Sequence, residues 1–277
     1  RKRCATVKIT TLVENSCVSK DLEAVHGLSF LIETEGTKIL MDMGPGEEFL
    51  RNADKLGINI SDVDYAVISH GHNDHGGGLR SFLKKNQKAN VYIHEKAFEP
   101  HYAGTGISIS LDSELKSDPR IILTGDRAEI TDEILLFADV RGEELLSASN
   151  KTLLMEREGE KVQDDFTHEQ NLLLLCEGKK VLLAGCAHRG IANILNCAEK
   201  IAGGEMDLVI GGFHLGNPRT GKTEPVELID KISEFLLARK NTRYLTGHCT
   251  AILPYERLKS KMGDRIGYAS AGSEIEI

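Results

Sequence analysis

Residues 65–78 read Tyr65-Ala66-Val67-Ile68-Ser69-His70-Gly71-His72-Asn73-Asp74-His75-Gly76-Gly77-Gly78, a short apolar run that breaks into histidines and then glycines. The apolar part has the length and composition of a buried strand, with the break just past its carboxyl end. Three imidazoles and a carboxylate then fall within six residues. Neutral imidazoles and carboxylates are donors suited to zinc, iron or manganese. A compact turn lets His70 and His72 hold one metal while Asp74 and His75 hold a second. The glycines that follow permit close packing and unusual dihedrals.

Three more histidines share that context. His188 follows Val181-Leu182-Leu183-Ala184, His214 follows Leu208-Val209-Ile210, and His248 follows Tyr244-Leu245-Thr246, each beside glycine. In α/β proteins sites gather at the carboxyl ends of strands. Asp42 also ends a strand-like run, placing it where a carboxylate orients a ligating histidine from behind. His26 precedes Gly27 on a loop that can enter the same site. His94, His101 and His168 show no ligand spacing and read as ordinary histidines.

Around these points the chain alternates. Strands are expected at 4–13, 29–33, 37–41, 65–69, 90–94, 133–140, 171–176, 179–184, 207–210 and 243–246, with two short ones near 266–269 and 274–277. Helical spacing marks 47–56, 79–85, 191–202, 226–238 and 252–259, and Ser61 and Asp62 read as the cap of a turn. Segments 100–120 and 141–170 are polar and read as long loop insertions covering a pocket. The whole, 1–277, reads as a single domain.

Composition narrows the classes. The chain has 277 residues, 40% hydrophobic, enough for a sizeable core. Its 34 Lys+Arg against 42 Asp+Glu give a formal net charge of −8, which disfavours a nucleic-acid or anionic-membrane partner. No apolar run reaches the roughly 18 residues that span a bilayer. Six cysteines without Cys-x-x-Cys spacing point to reduced thiols and a cytoplasmic setting. Cys186 and Cys249 stand beside candidate histidines.

The string His70-Gly71-His72-Asn73-Asp74-His75, with Asp42 before it and His188 and His248 after it, resembles the metallo-β-lactamase superfamily over about residues 28–250. The strings Gly27-Leu28-Ser29, Gly185-Cys186-Ala187-His188-Arg189-Gly190-Ile191 and Gly211-Gly212-Phe213-His214-Leu215 look like its branch of metal-dependent hydrolases related to dihydropterin ribofuranosyl-aminobenzene phosphate synthase. The resemblance implies a mixed α/β fold, an αββα four-layer sandwich of two mixed sheets with outer helices. It also implies two divalent metals, zinc first and manganese or iron as alternatives. His70, His72 and His188 would hold one, and Asp74, His75 and His248 the other. One departure stands out. Where many dinuclear members carry a bridging aspartate this chain offers His214, whose single lone pair cannot bridge two metals. Either the second metal binds more weakly, or His214 acts on substrate.

The expected chemistry is hydrolysis of a phosphorylated or ester small molecule by water that the metals acidify to a pKa of about 7. Asp74 serves as ligand and proton acceptor, and His214 as acid or hydrogen-bond donor. The alternative is pterin transfer, with the metals holding a pyrophosphate leaving group. Residues 216–223 match the phosphate-loop pattern Gly-x4-Gly-Lys-Thr, but too little chain follows for that fold and no magnesium carboxylate stands in its usual place. Arg219 and Lys222 read instead as a basic rim for an anionic substrate.

Overall fold

Short strands and helices build two sheets of one plan. In the computed structural model, which describes residues 6–176, 178–217 and 220–277, the strands are β1 (Lys8–Val13), β2 (Ser29–Glu33), β3 (Lys38–Met41), β4 (Tyr65–Ile68), β5 (Asn90–His94), β6 (His101–Tyr102), β7 (Ile121–Thr124), β8 (Arg127–Thr131), β9 (Ile134–Phe137), β10 (Leu154–Arg157), β11 (Glu160–Gln163), β12 (Asn171–Cys176), β13 (Lys179–Leu183), β14 (Leu208–Gly211), β15 (Arg243–Thr246), β16 (Ile266–Tyr268) and β17 (Glu274–Glu276). The α-helices are α1 (Glu48–Lys55), α2 (Asn73–Gly76), α3 (Leu79–Lys85), α4 (Ile191–Ala202), α5 (Val226–Leu237) and α6 (Ile252–Met262). Contacts divide the chain into two compact units. The first runs to Gly125 and takes in Leu154–His168 and Ala269–Ile277; the second comprises Asp126–Leu153 and Glu169–Tyr268.

The first unit's large sheet has the order β17-β1-β2-β3-β4-β5-β7. Pairing is antiparallel from β17 to β3 and parallel from β3 through β4 and β5 to β7. Ala66, Val67 and Ile68 on β4 are all fully buried, as a central parallel strand covered on both faces requires. Helices α1 and α3 lay Phe49, Ala53, Phe82 and Leu83 into a core with Leu40, Ala66 and Ile93. Each fully buried Leu, Ile or Phe contributes roughly 1.5–3 kcal/mol.

The second unit's sheet repeats the plan. Strands β8, β9, β12 and β13 pair antiparallel, then β13, β14, β15 and β16 pair parallel. Helices α4 and α5 pack Ile194, Leu195, Ile232 and Leu236 against Leu182, Val209 and Tyr244. Each unit therefore has one large mixed sheet with its own helices, the mixed α/β class that the sequence implies. Among the described residues no helix is long and apolar enough to cross a membrane.

Three details differ from the sequence reading. Asn59, not Ser61 or Asp62, caps the turn before β4, its Oδ1 accepting the Ser61 N–H at 3.2 Å. Strands β7 and β8 have no counterpart in the sequence reading, because much of each is exposed and neither shows the apolar alternation of a half-buried strand. The polar segments are not featureless either. β6 pairs with β10, and β10 with β11, as a small third sheet in the first unit. There the Tyr102 hydroxyl donates to Glu156 at 2.9 Å, and the Lys161 ammonium sits 3.9 Å from the Tyr102 ring centroid. The Glu177 side of the β12–β13 hairpin lies outside the described residues.

Candidate metal centre

In the first unit the parallel strands β3 and β4 end side by side. Asp42, one residue past β3, donates its backbone N–H to the Val67 carbonyl at 2.8 Å and adopts φ 62°. That left-handed conformation costs a non-glycine residue of order 1–3 kcal/mol and is borne where the surroundings fix it. Here they do. Asp42 Oδ1 accepts the Ser69 N–H at 2.7 Å, while its Oδ2 accepts the Ser69 hydroxyl and lies 2.7 Å from His75 Nδ1.

These bonds set the proton positions on two imidazoles. Ser69 spends its only hydroxyl proton on Asp42, so at 2.8 Å it accepts from His70 Nδ1–H. His75 Nδ1–H donates to Asp42 directly. Both rings therefore keep their lone pairs on Nε2. His75 Nε2 lies 3.7 Å from Asp74 Oδ2, and the His70 ring centroid is 4.2 Å from that of His75 and 4.6 Å from that of His72. Burial lowers the His72 pKa despite Asp164 and Asp74 nearby, favouring the neutral, ligating form. Imidazole nitrogens gathered beside a carboxylate fit zinc, manganese or iron. His26 Nε2 stands 3.3 Å from Asp74 Oδ2, so the loop histidine does reach this cluster. The glycines have a concrete reason: a Cβ on Gly77 would fall 2.2 Å from the Pro45 carbonyl oxygen.

In the second unit three parallel strands, β13, β14 and β15, deliver His188, His214 and His248 within five residues of their ends. The turns are tight: Ala187, His214 and His248 have φ of 54°, 49° and 52°. Asn150 grips His188 twice. Its Nδ2 donates to the His188 carbonyl at 2.7 Å, and its Oδ1 accepts from His188 Nδ1 at 3.0 Å, leaving the lone pair on Nε2. Glu169 clamps the same turn, accepting the His188 and Arg189 N–H groups at 2.7 and 2.9 Å. Burial pushes the Glu169 carboxyl up to about 7, although those N–H groups oppose the shift.

The His214 ring lies 4.2 Å from that of His188, centroid to centroid, and among the described residues neither of its buried ring nitrogens has a partner at hydrogen-bond distance. Ser147 donates to the His214 carbonyl. The thiols of Cys186 and Cys249 and a His214 nitrogen lie within 4.8 Å of one another, and the Cys249 thiol donates to the Cys186 carbonyl at 3.6 Å.

Lys222 is exposed on a turn closed by a bridge between Gly216 and Thr223, and Leu215 and Gly216 hydrogen-bond to the Cys249 carbonyl. Helix α5 begins only at Val226, so Lys222 and Thr223 are not in the first turn of a helix, where a phosphate loop needs them. Arg219 lies outside the described residues.

The sequence reading missed Ser69, Asn150, Glu169, Asp164, His101 and His168 as supporting residues. The last three gather beside His72, with donor atoms of all four within 4.8 Å. They are scattered between residues 72 and 168, which leaves no spacing to read.

A family model, the metallo-beta-lactamase superfamily, matches residues 22–248. The chain is 30% identical to the 7,8-dihydropterin-6-methyl-4-(beta-D-ribofuranosyl)-aminobenzene-5'-phosphate synthase of Methanocaldococcus jannaschii, over 88% of this chain and 87% of that protein. It is 31% identical to an uncharacterised protein of the same organism, over 75% and 79%. The crystal structure of Tm1679, a metal-dependent hydrolase of the beta-lactamase superfamily, aligns with TM-score 0.82 and 28% identity over 98% of this chain and 99% of that one. Zinc-bound PqqB from Methylobacterium extorquens shares the fold alone, with TM-score 0.56 and 12% identity over 98% of this chain and 100% of that one.

Proposed function

The chain belongs to the metallo-beta-lactamase superfamily, and from that premise we propose that it is a metal-dependent hydrolase of a phosphorylated or ester small molecule. The observation that carries the reading is the Asp42–Ser69–His70 and Asp42–His75 network, which leaves the Nε2 lone pairs of both rings uncommitted to it, that of His75 3.7 Å from the Asp74 carboxylate. In this reading His70, His72 and His188 hold one divalent metal, and Asp74, His75 and His248 a second, zinc being the first choice. Such ions acidify water and draw negative charge off an ester or phosphoryl group.

The chain's own residues do the rest. Asp42 fixes the Nδ1 protons of two ligand histidines, one directly and one through Ser69, and so aims their Nε2 atoms. Asp74 takes the proton of the attacking water. His214, whose ring nitrogens have no partner at hydrogen-bond distance among the described residues, donates a hydrogen bond or a proton to the leaving oxygen. Lys222 and Arg219, with His26, meet an anionic substrate. Metal analysis of the purified protein, with a panel of phosphodiesters, phosphomonoesters, thioesters and lactams, tests the reading. Turnover that survives removal of all metal would end it.

A second reading has one specific support, the 30% identity to a protein named as a synthase of a pterin-linked aminobenzene phosphate. Here metals on the same ligands would hold a pyrophosphate leaving group while an aromatic amine or ring carbon attacks. Incubation with a pterin pyrophosphate and an aryl-ribofuranosyl phosphate, followed by product analysis, separates the two.

A further inference from the structure

The small sheet of β6, β10 and β11 ends in a buried knot of polar side chains. Asp164, just past β11, is wholly buried in its side chain. Its Oδ1 accepts the Phe166 N–H at 2.8 Å. Its Oδ2 lies 3.0 Å from His101 Nδ1, 3.2 Å from His168 Nε2 and 3.9 Å from His72 Nε2. The knot also grips the backbone between the first two histidines of the loop, because the Gly71 N–H donates to His168 Nδ1 at 2.9 Å. Only glycine fits there: a Cβ would stand 2.4 Å from the Ala97 carbonyl oxygen and 2.6 Å from His101 Nε2.

Three imidazoles around one carboxylate oxygen also have the spacing of a metal cage. The proton inventory decides against that. A metal on His168 Nε2 needs the lone pair there and so puts the ring proton on Nδ1. The Gly71 N–H already points at Nδ1, and two donors would face each other. His168 therefore carries its proton on Nε2 and donates to Asp164. His101 does the same through Nδ1, and the carboxylate is the common acceptor.

We propose that Asp164, with His101 and His168, forms the positioning group of His72, fixing that ring's proton on Nε2 and locking the His70-Gly71-His72 turn at Gly71. The proposal rests on the reading of His72 as a metal ligand. It also explains the third sheet, whose inserted strands then carry the outer support of one ligand, as Asp42 supports two others and Asn150 a third. Support of this kind typically changes metal affinity 10–100-fold.

The test is ring-nitrogen NMR on the full chain as purified, with chelator competition on Asp164→Asn and metal counting on His101→Ala. Wild-type protein should show protons on Nε2 of both His168 and His72. Asp164→Asn should mix the His72 tautomers and weaken metal retention 10–100-fold at unchanged saturating stoichiometry. His101→Ala should keep the same number of metals per chain. A His168 proton on Nδ1, an Asp164→Asn variant with unchanged tautomer and retention, or loss of one metal per chain in His101→Ala would each overturn the proposal, the last by making the knot a metal cage. The wild-type spectrum decides even if Asp164→Asn does not fold. Failure of the ligand reading itself shows separately, as unchanged metal content in His72→Ala.

Discussion

The turn after β4 and the three strand ends of the second unit use the same chemical parts in opposite ways. The first packs His70, His72, Asp74 and His75 into six consecutive residues and braces two of the histidines with one carboxylate, Asp42. The second spreads His188, His214 and His248 over sixty residues, one per parallel strand, and braces His188 with an amide, Asn150. A local cluster concentrates its dependence on a single buried anion. A dispersed set rests on strand register, with each histidine held by its own turn. The difference teaches where each arrangement is vulnerable.

The largest effect should come from the local cluster. His72→Ala should abolish turnover of a confirmed substrate while circular dichroism stays near wild type, because the residue serves chemistry more than packing. Near-normal turnover in the folded variant would break the functional reading. Next is His214→Ala, with kcat lower by about 10²–10⁴ at unchanged metal content, the span of a general acid or base. Loss of about half the metal would instead make His214 a ligand, and erase the contrast between it and its neighbours.

The comparison is sharpest between the two braces. Asp42→Ala removes the partner of His75 and, through Ser69, of His70, so chelator competition should show metal retention weaker by about 100-fold. Asn150→Ala releases one imidazole, and the same measurement should show about 10-fold. Equal losses in the two variants would mean that the dispersed set is no more robust than the cluster. The smallest effect belongs to Lys222→Ala. An exposed cation at a rim is worth about 1 kcal/mol or less, so KM for an anionic substrate should rise at most a few-fold with kcat unchanged.

The apolar run 65–68, the crowding of donors at 70–75 and the glycines after them were legible in the sequence because each is a relation between neighbours. So was the placement of His188, His214 and His248 just past apolar runs, and most of the strands and helices of both sheets, whose hydrophobic spacing shows within a window of a few residues. What only the tertiary structure decided are the relations between distant residues: that Asp42 faces Ser69 and His75, that Asn150 turns both ends of its amide to His188, and that Asp164 collects His101 and His168 beneath Gly71. Asn150, Asp164 and Glu169 sit in stretches whose polarity reads as loop. They are buried in the folded chain, and a buried polar group must find its hydrogen-bond partner in whatever the fold brings near.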